Sequence, residues 1–161
     1  KYSGDDTILA LYAESIMDTQ PWDYWEEGGA KPKGRAAEML AVLEQVYARN
    51  PNHPGALHLY IHAVEASTKP ERALPHARRL AALMPGAGHI VHMPAHIYYR
   101  TGRYKESLEV NKRAMAVDEQ YFKTSPSDPM YKSAYYPHNI HFLWASAQGG
   151  GDGPTALDAA A

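Results

Sequence analysis

Nine histidines stand among 161 residues, and seven of them fall in three short segments. The segments read GALHLYIHAVEA over Gly55–Ala66, GHIVHMPAHIYYR over Gly88–Arg100 and YYPHNIH over Tyr135–His141. His58 and His62 are four apart, so on a helix they share a face, and Glu65 joins it three residues later. His92 and His96 repeat that spacing with His89 one turn earlier, and His138 and His141 lie three apart. Imidazole nitrogens and carboxylates are ligands for Zn, Fe and Cu, and two His at i and i+4 can chelate one ion. The candidate metal ligands are therefore His58, His62, Glu65, His89, His92, His96, His138 and His141. That is more than one ion needs, so two ions, or one ion with outer His partners, would both suit the set. Protonated imidazoles crowded together repel, so such a cluster should hold depressed pKa values until a cation relieves it.

If the metal serves a reaction, Glu65 and Glu14 are the candidate general bases, and Tyr99 is a candidate hydrogen-bond donor, ligand or redox group. A competing reading of the same residues is a His- and Tyr-lined groove that binds a peptide or protein partner. His53, in a turn, and His76, on a different helix, are expected to be ordinary hydrogen-bonding or packing residues. Other chemistry finds little support. The chain has no cysteine, which removes disulfides, thiolate ligands and a Cys nucleophile. The GGGDG run at Gly149–Gly153 lacks the strand and helix of a phosphate loop, and no HExxH occurs. A net charge of −2 points to neither a nucleic-acid nor a membrane-surface partner. No apolar run approaches the roughly 18 residues of a membrane span. No targeting signal is evident. The chain opens on Lys1 shortly before a helix, as a processed protein or part of a longer one would.

The elements that must carry these residues repeat. His58 and His92 are 34 apart, as are His62 and His96, Pro51 and Pro85, and Leu74 and Leu108. A fixed period of this length is the mark of a helical repeat array. Apolar spacing predicts helices over about Asp6–Thr19, with Leu9, Tyr12, Ala13 and Ile16 inward, and Gly34–Arg49, with Met39, Leu40, Leu43, Val46 and Tyr47 inward. Further helices are expected near Ala56–Ser67, Glu71–Leu83, Ile90–Thr101, Tyr104–Tyr121 and His138–Ala147. Pro94 falls inside one of them, where proline disturbs a helix. Two insertions interrupt the period. Gln20–Pro32 is rich in Trp, Gly and Pro, and its Trp22 and Trp25 are expected to staple it to the array. Phe122–Tyr136 reads as a long loop. A repeat domain over residues 1–148 would be followed by a frayed Gly/Ala-rich tail over 149–161.

The 34-residue period, with Gly102-Arg103-Tyr104-Lys105-Glu106-Ser107-Leu108 and Pro70-Glu71-Arg72-Ala73-Leu74 in equivalent places, resembles the tetratricopeptide repeat (TPR). The resemblance implies an all-α, TPR-like solenoid of antiparallel helix pairs, about three and a half repeats, forming part of a longer array. It also implies that the first helix of each pair lines a concave groove. In the repeat alignment His58, His92 and His141 correspond, His62 corresponds to His96, and His89 to His138, so one compact patch is expected, with Glu14 in reach. HPGALHLYIHAVEAS, PGAGHIVHMPAHIYYRTGRY and YYPHNIHFLWASA together look like a His-rich bacterial group of such proteins with no settled biochemical role. Two functions follow as expectations. One is a transition-metal site in the groove, possessed of catalysis or not. The other is a scaffold that binds a peptide or protein partner, or stacks end to end on copies of itself.

Overall fold

Asp5 opens the first helix because its carboxylate accepts from the amides of Thr7 and Ile8, two donors that a helix start leaves without a partner. The structure, a computed structural model, describes residues 4–125 and 128–161. Among these residues the regular structure is helical apart from one short hairpin, and the helices pack in pairs. None is long and apolar enough to cross a membrane. The chain divides after Leu80 into two units.

In the first unit, α1 (Asp6–Thr19), α2 (Ala36–Arg49) and α3 (Pro54–Glu65) pack on one another. Their buried faces have helical spacing: Ala10, Ala13, Ile16 and Met17 on α1, and Met39, Leu40, Leu43 and Val46 on α2. Tyr12, expected inside, is instead exposed. Its hydroxyl donates to Glu38 (2.5 Å) and accepts from Arg35, bonds that a wet rim satisfies better than a core. The 20–32 insertion forms a hairpin of β1 (Trp25–Glu26) and β2 (Lys31–Pro32) around a tight turn. Trp25 staples it, its indole N–H donating to the Ala63 carbonyl of α3 at 2.7 Å. Trp22 does not; it is 75% exposed. His53 caps α3 through Nδ1, which accepts from Ala56 N, and His76 lies against Tyr47 and Tyr60. Both thus have the ordinary roles expected of them. The helix expected from Glu71 begins as a 3-10 turn, Pro70–Ala73, and becomes α4 (Leu74–Leu83), within which the unit boundary falls.

The second unit continues with α5 (Gly88–His92), α6 (Pro94–Arg100), α7 (Tyr104–Thr124), α8 (Tyr136–Gly150) and α9 (Gly153–Ala160). Pro94 splits the helix expected near Ile90–Thr101, since it has no amide hydrogen to continue the ladder. Met93 keeps helical angles across the break, so the two pieces stay in phase. Gly102, in the left-handed region at φ 72°, turns the chain from α6 into α7. The loop expected over Phe122–Tyr136 is mostly helical: α7 runs on to Thr124, and a turn of π-helix, Tyr131–Tyr135, leads into α8. Residues 126 and 127 lie outside the described part. The frayed tail is also corrected. Gly151 ends α8 in the left-handed conformation, and the Asp152 carboxylate accepts from the Thr155 amide and hydroxyl to start α9. Ala156 then buries itself with Leu108, Leu143 and Ala147, and Trp144 packs on that cluster.

Candidate metal centre

The inward face of α7 carries a stripe that a plain helical core would not have. Ser107, Asn111, Ala114 and Asp118 recur at helical spacing and are all buried, three of them polar. Each polar member grips a neighbouring element. The Ser107 hydroxyl reaches the Ala95 carbonyl of α6 (3.3 Å) and Ser146 Oγ of α8 (2.7 Å). Asn111 Oδ1 lies 2.6 Å from His92 Nδ1, at the end of α5. Asp118 accepts from the Tyr131 hydroxyl (2.7 Å) and from Asn139 Nδ2 of α8 (2.8 Å). The Tyr131 oxygen in turn accepts from the His89 amide (3.2 Å). Asp118 also packs so closely on Gly88 that a Cβ there would sit 1.8 Å from its Oδ1, which is why α5 begins with glycine.

These grips fix Ala95, His92 and Asn139, and thereby bring three imidazoles together. His92 Nε2 lies 3.0 Å from His96 Nε2, and His138 Nε2 lies 3.4 Å from the same atom. Each of the three offers a ring nitrogen, all within 4.8 Å of one another, and such a group could hold a metal ion. Nitrogens about 2.0–2.1 Å from one ion stand roughly 3.0 Å apart on an octahedral edge and 3.4 Å on a tetrahedral one. With each ring centre a further ~1.1 Å behind its nitrogen, tetrahedral ligation puts the centres about 5.2 Å apart. The observed ring-centre separations are 4.8, 4.8 and 5.5 Å.

The hydrogen bonds also set the tautomer of His92. Asn111 Nδ2 donates to the Ser107 carbonyl at 2.8 Å, so its Oδ1 faces His92 and accepts. His92 Nδ1 therefore carries the proton, and Nε2 presents its lone pair to the other two rings. A ring N–H held by an outer acceptor is the usual support of a metal-bound imidazole. Burial pushes the His92 pKa well below the usual imidazole range, the neighbouring His96 lowers it further, and the Asn111 bond opposes this only in part. A neutral ring is the form that ligates. The Phe142 ring lies 4.8, 4.5 and 5.0 Å from His92, His96 and His138 and covers the group with apolar surface.

The other expected site residues fall differently. His89 is half-buried, stacked at 6.0 Å on His92 and edge-on to Tyr135, one ring removed from the three. His141 departs from the repeat register: it is exposed and tilted against Trp144, while His138 takes the place beside His92 and His96. The Asp118–Asn139 and Ser107–Ser146 bonds fix where α8 lies along α7, one turn away from the slide that the H-x-x-H match implies. Tyr99 is 37% exposed, its ring against Tyr104 and Phe142 rather than the imidazoles. In the first unit, Glu14 is exposed on α1. His58 and His62 share a face of α3, with Glu65 bonded to His62. Asn111, Asp118 and Phe142 escaped the sequence reading. The signal for the first two was present as polar residues on the inward stripe of an amphipathic helix. Comparison with known proteins finds no matching family model, no matching curated protein and no matching solved structure.

Proposed function

We propose that this chain is a metal-binding protein of TPR-like helical repeats, with His92, His96 and His138 as ligands of a first-row transition ion of the zinc, iron or copper kind. The observation that carries the reading is the convergence of three imidazoles, with His96 Nε2 at 3.0 Å from His92 Nε2 and 3.4 Å from His138 Nε2, spacings that one shared ion accommodates. Asn111 supports it by holding the His92 proton on the far nitrogen. The alternative, that the rings merely hydrogen-bond to one another, leaves three imidazoles with lone pairs and protons to share in a buried space. A cation satisfies them all at once. The repeat architecture draws support from the 34-residue spacing of His58 with His92 and of His62 with His96, and from the left-handed turn at Gly102. Three protein nitrogens leave a coordination position for water or substrate, as catalytic centres require, so hydrolytic or redox chemistry is compatible with the site.

The test is metal analysis of the full chain purified without a tag, after dialysis against Zn2+, Fe2+ or Cu2+. At least one tightly held equivalent is expected, lost in His92→Ala and in His138→Ala. Uptake below ~0.1 equivalent of every metal, from protein that remains folded, would refute the proposal.

A further inference from the structure

The first unit carries a second group of ligating side chains that repeats two features of the three-imidazole centre. The His58 and His62 rings on α3 lie edge-on with centres 5.0 Å apart. That matches the about 5.2 Å expected of two imidazoles on one tetrahedral ion. The second feature is the outer acceptor. His62 Nδ1 lies 3.1 Å from Glu65 Oε1, with the two side chains only 17% and 19% exposed. A carboxylate accepts, so Nδ1 carries the proton and Nε2 becomes the lone-pair nitrogen. Glu65 thus does for His62 what Asn111 does for His92. The backbone beneath is rigid. Pro54 and the His53 cap fix the start of α3, and the Trp25 indole holds the Ala63 carbonyl next to His62. Leu57, Ile61 and Val64, all buried, lock the adjacent face.

We propose that His58 and His62 form a second transition-metal site, taking an ion of the zinc class, with Glu65 as the positioning residue that holds the His62 proton on Nδ1. The site rests on the same ligand chemistry as the three-imidazole reading but on none of its residues. Two protein nitrogens hold an ion less firmly than three, so this site fills second. Replacing an outer acceptor of a metal-bound imidazole weakens binding about 10- to 100-fold.

The experiment is titration of the tag-free full chain with Zn2+, followed by calorimetry and by elemental analysis after dialysis. Co2+ absorbance reports the ligand field. Two equivalents are expected. His58→Ala and His62→Ala should each remove the weaker one and leave the tighter, and His92→Ala should do the reverse. Glu65→Ala should weaken the second equivalent about 10-fold or more, and Glu65→Gln, whose amide oxygen still accepts from Nδ1, should restore most of it. Restoration by Gln separates positioning from direct ligation by the carboxylate, and Glu65→Leu, which keeps the bulk but accepts no bond, should stay weak where a mere packing role would let it recover. Circular dichroism checks the fold, and His58→Gln replaces the alanine variant if that one unfolds. One equivalent, untouched by the His58 and His62 variants and lost in His92→Ala, would overturn this site and leave the three-imidazole reading standing. One equivalent with the opposite pattern would overturn that reading and sustain this site. A single equivalent lost in both sets would overturn the idea of two separate sites.

Discussion

Replacing Asn111 by alanine separates a metal centre from a chance meeting of histidines. The wild-type carboxamide is fully buried and makes two bonds, accepting from His92 Nδ1 at 2.6 Å and donating to the Ser107 carbonyl at 2.8 Å. Alanine leaves the imidazole N–H buried without an acceptor, which costs about 1–3 kcal/mol of stability. The effect on metal is distinct. With its outer acceptor gone, His92 is a poorer base and its tautomer is no longer imposed, so affinity should fall about 10- to 100-fold, or roughly 1.4–2.7 kcal/mol. Urea unfolding of metal-free protein reads the first quantity, and competition for Zn2+ against a chromophoric chelator reads the second. Asn111→Asp is the informative companion. Its carboxylate still accepts from Nδ1, so it should keep most of the Zn2+ affinity even though it destabilises the metal-free fold by setting a charge beside the Ser107 carbonyl. If Asn111→Ala binds Zn2+ as tightly as the wild type while His92→Ala does not, Asn111 plays no part in preparing the ligand. If neither changes affinity, His92 is not a ligand at all.

Two further outcomes follow from the same geometry. Below the usual imidazole value of 6.5 the unfolded chain takes up a proton at His92 that the buried folded ring refuses, so stability is full above that pH and falls as pH drops. At about 1.4 kcal/mol per pH unit, metal-free protein should lose up to ~2 kcal/mol from His92 between pH 6.5 and 5, read by urea unfolding against His92→Asn; equal pH profiles would sink the assignment. Gly88→Ala should destabilise by about 3 kcal/mol because its Cβ meets the Asp118 carboxylate, and Asp118→Ser should recover part of this in the double variant; a neutral Gly88→Ala would mean that the contact yields freely.

The helices were legible wherever apolar residues keep one face, and this explains why α1, α2 and α7 lie close to where spacing put them. The misses have local causes. The stretch after Gly149 looks too small and flexible to fold, yet one left-handed glycine followed by an Asp cap starts α9 within three residues. The segment before α8 holds proline and polar residues, and its π-turn has no periodic signature to find. Within the site, His92 with His96 was readable because i and i+4 positions meet on any helix. Bringing His138 to them depends on where α8 slides along α7, and that is set by single hydrogen bonds from Asp118 and Ser107. Such bonds join residues 21 and 39 positions apart and leave no pattern along the chain.

The distribution of buried polar groups gives an independent reason for the proposed three-imidazole site in the second unit. Among the described residues, the fully or nearly buried polar side chains are Ser67, His92, His96, Ser107, Asn111, Asp118, Asn139 and Ser146. All but Ser67 lie on α5 to α8, in the three imidazoles' own surroundings. Each would be cheaper as an apolar residue of similar volume, since a satisfied buried hydrogen bond contributes only about 1 kcal/mol and an unsatisfied one costs more. Asp118 shows the expense most clearly. Burial raises its pKa, opposed only by the bonds from Tyr131 and Asn139. A helix that needed only to pack would have Leu or Ala at these positions, as the first unit has on α2. Local rules broken together, around one group of imidazoles, mark a place where stability has been given up for a geometry. That geometry is three imidazoles brought edge to edge, which in the absence of a cation gain least from being together.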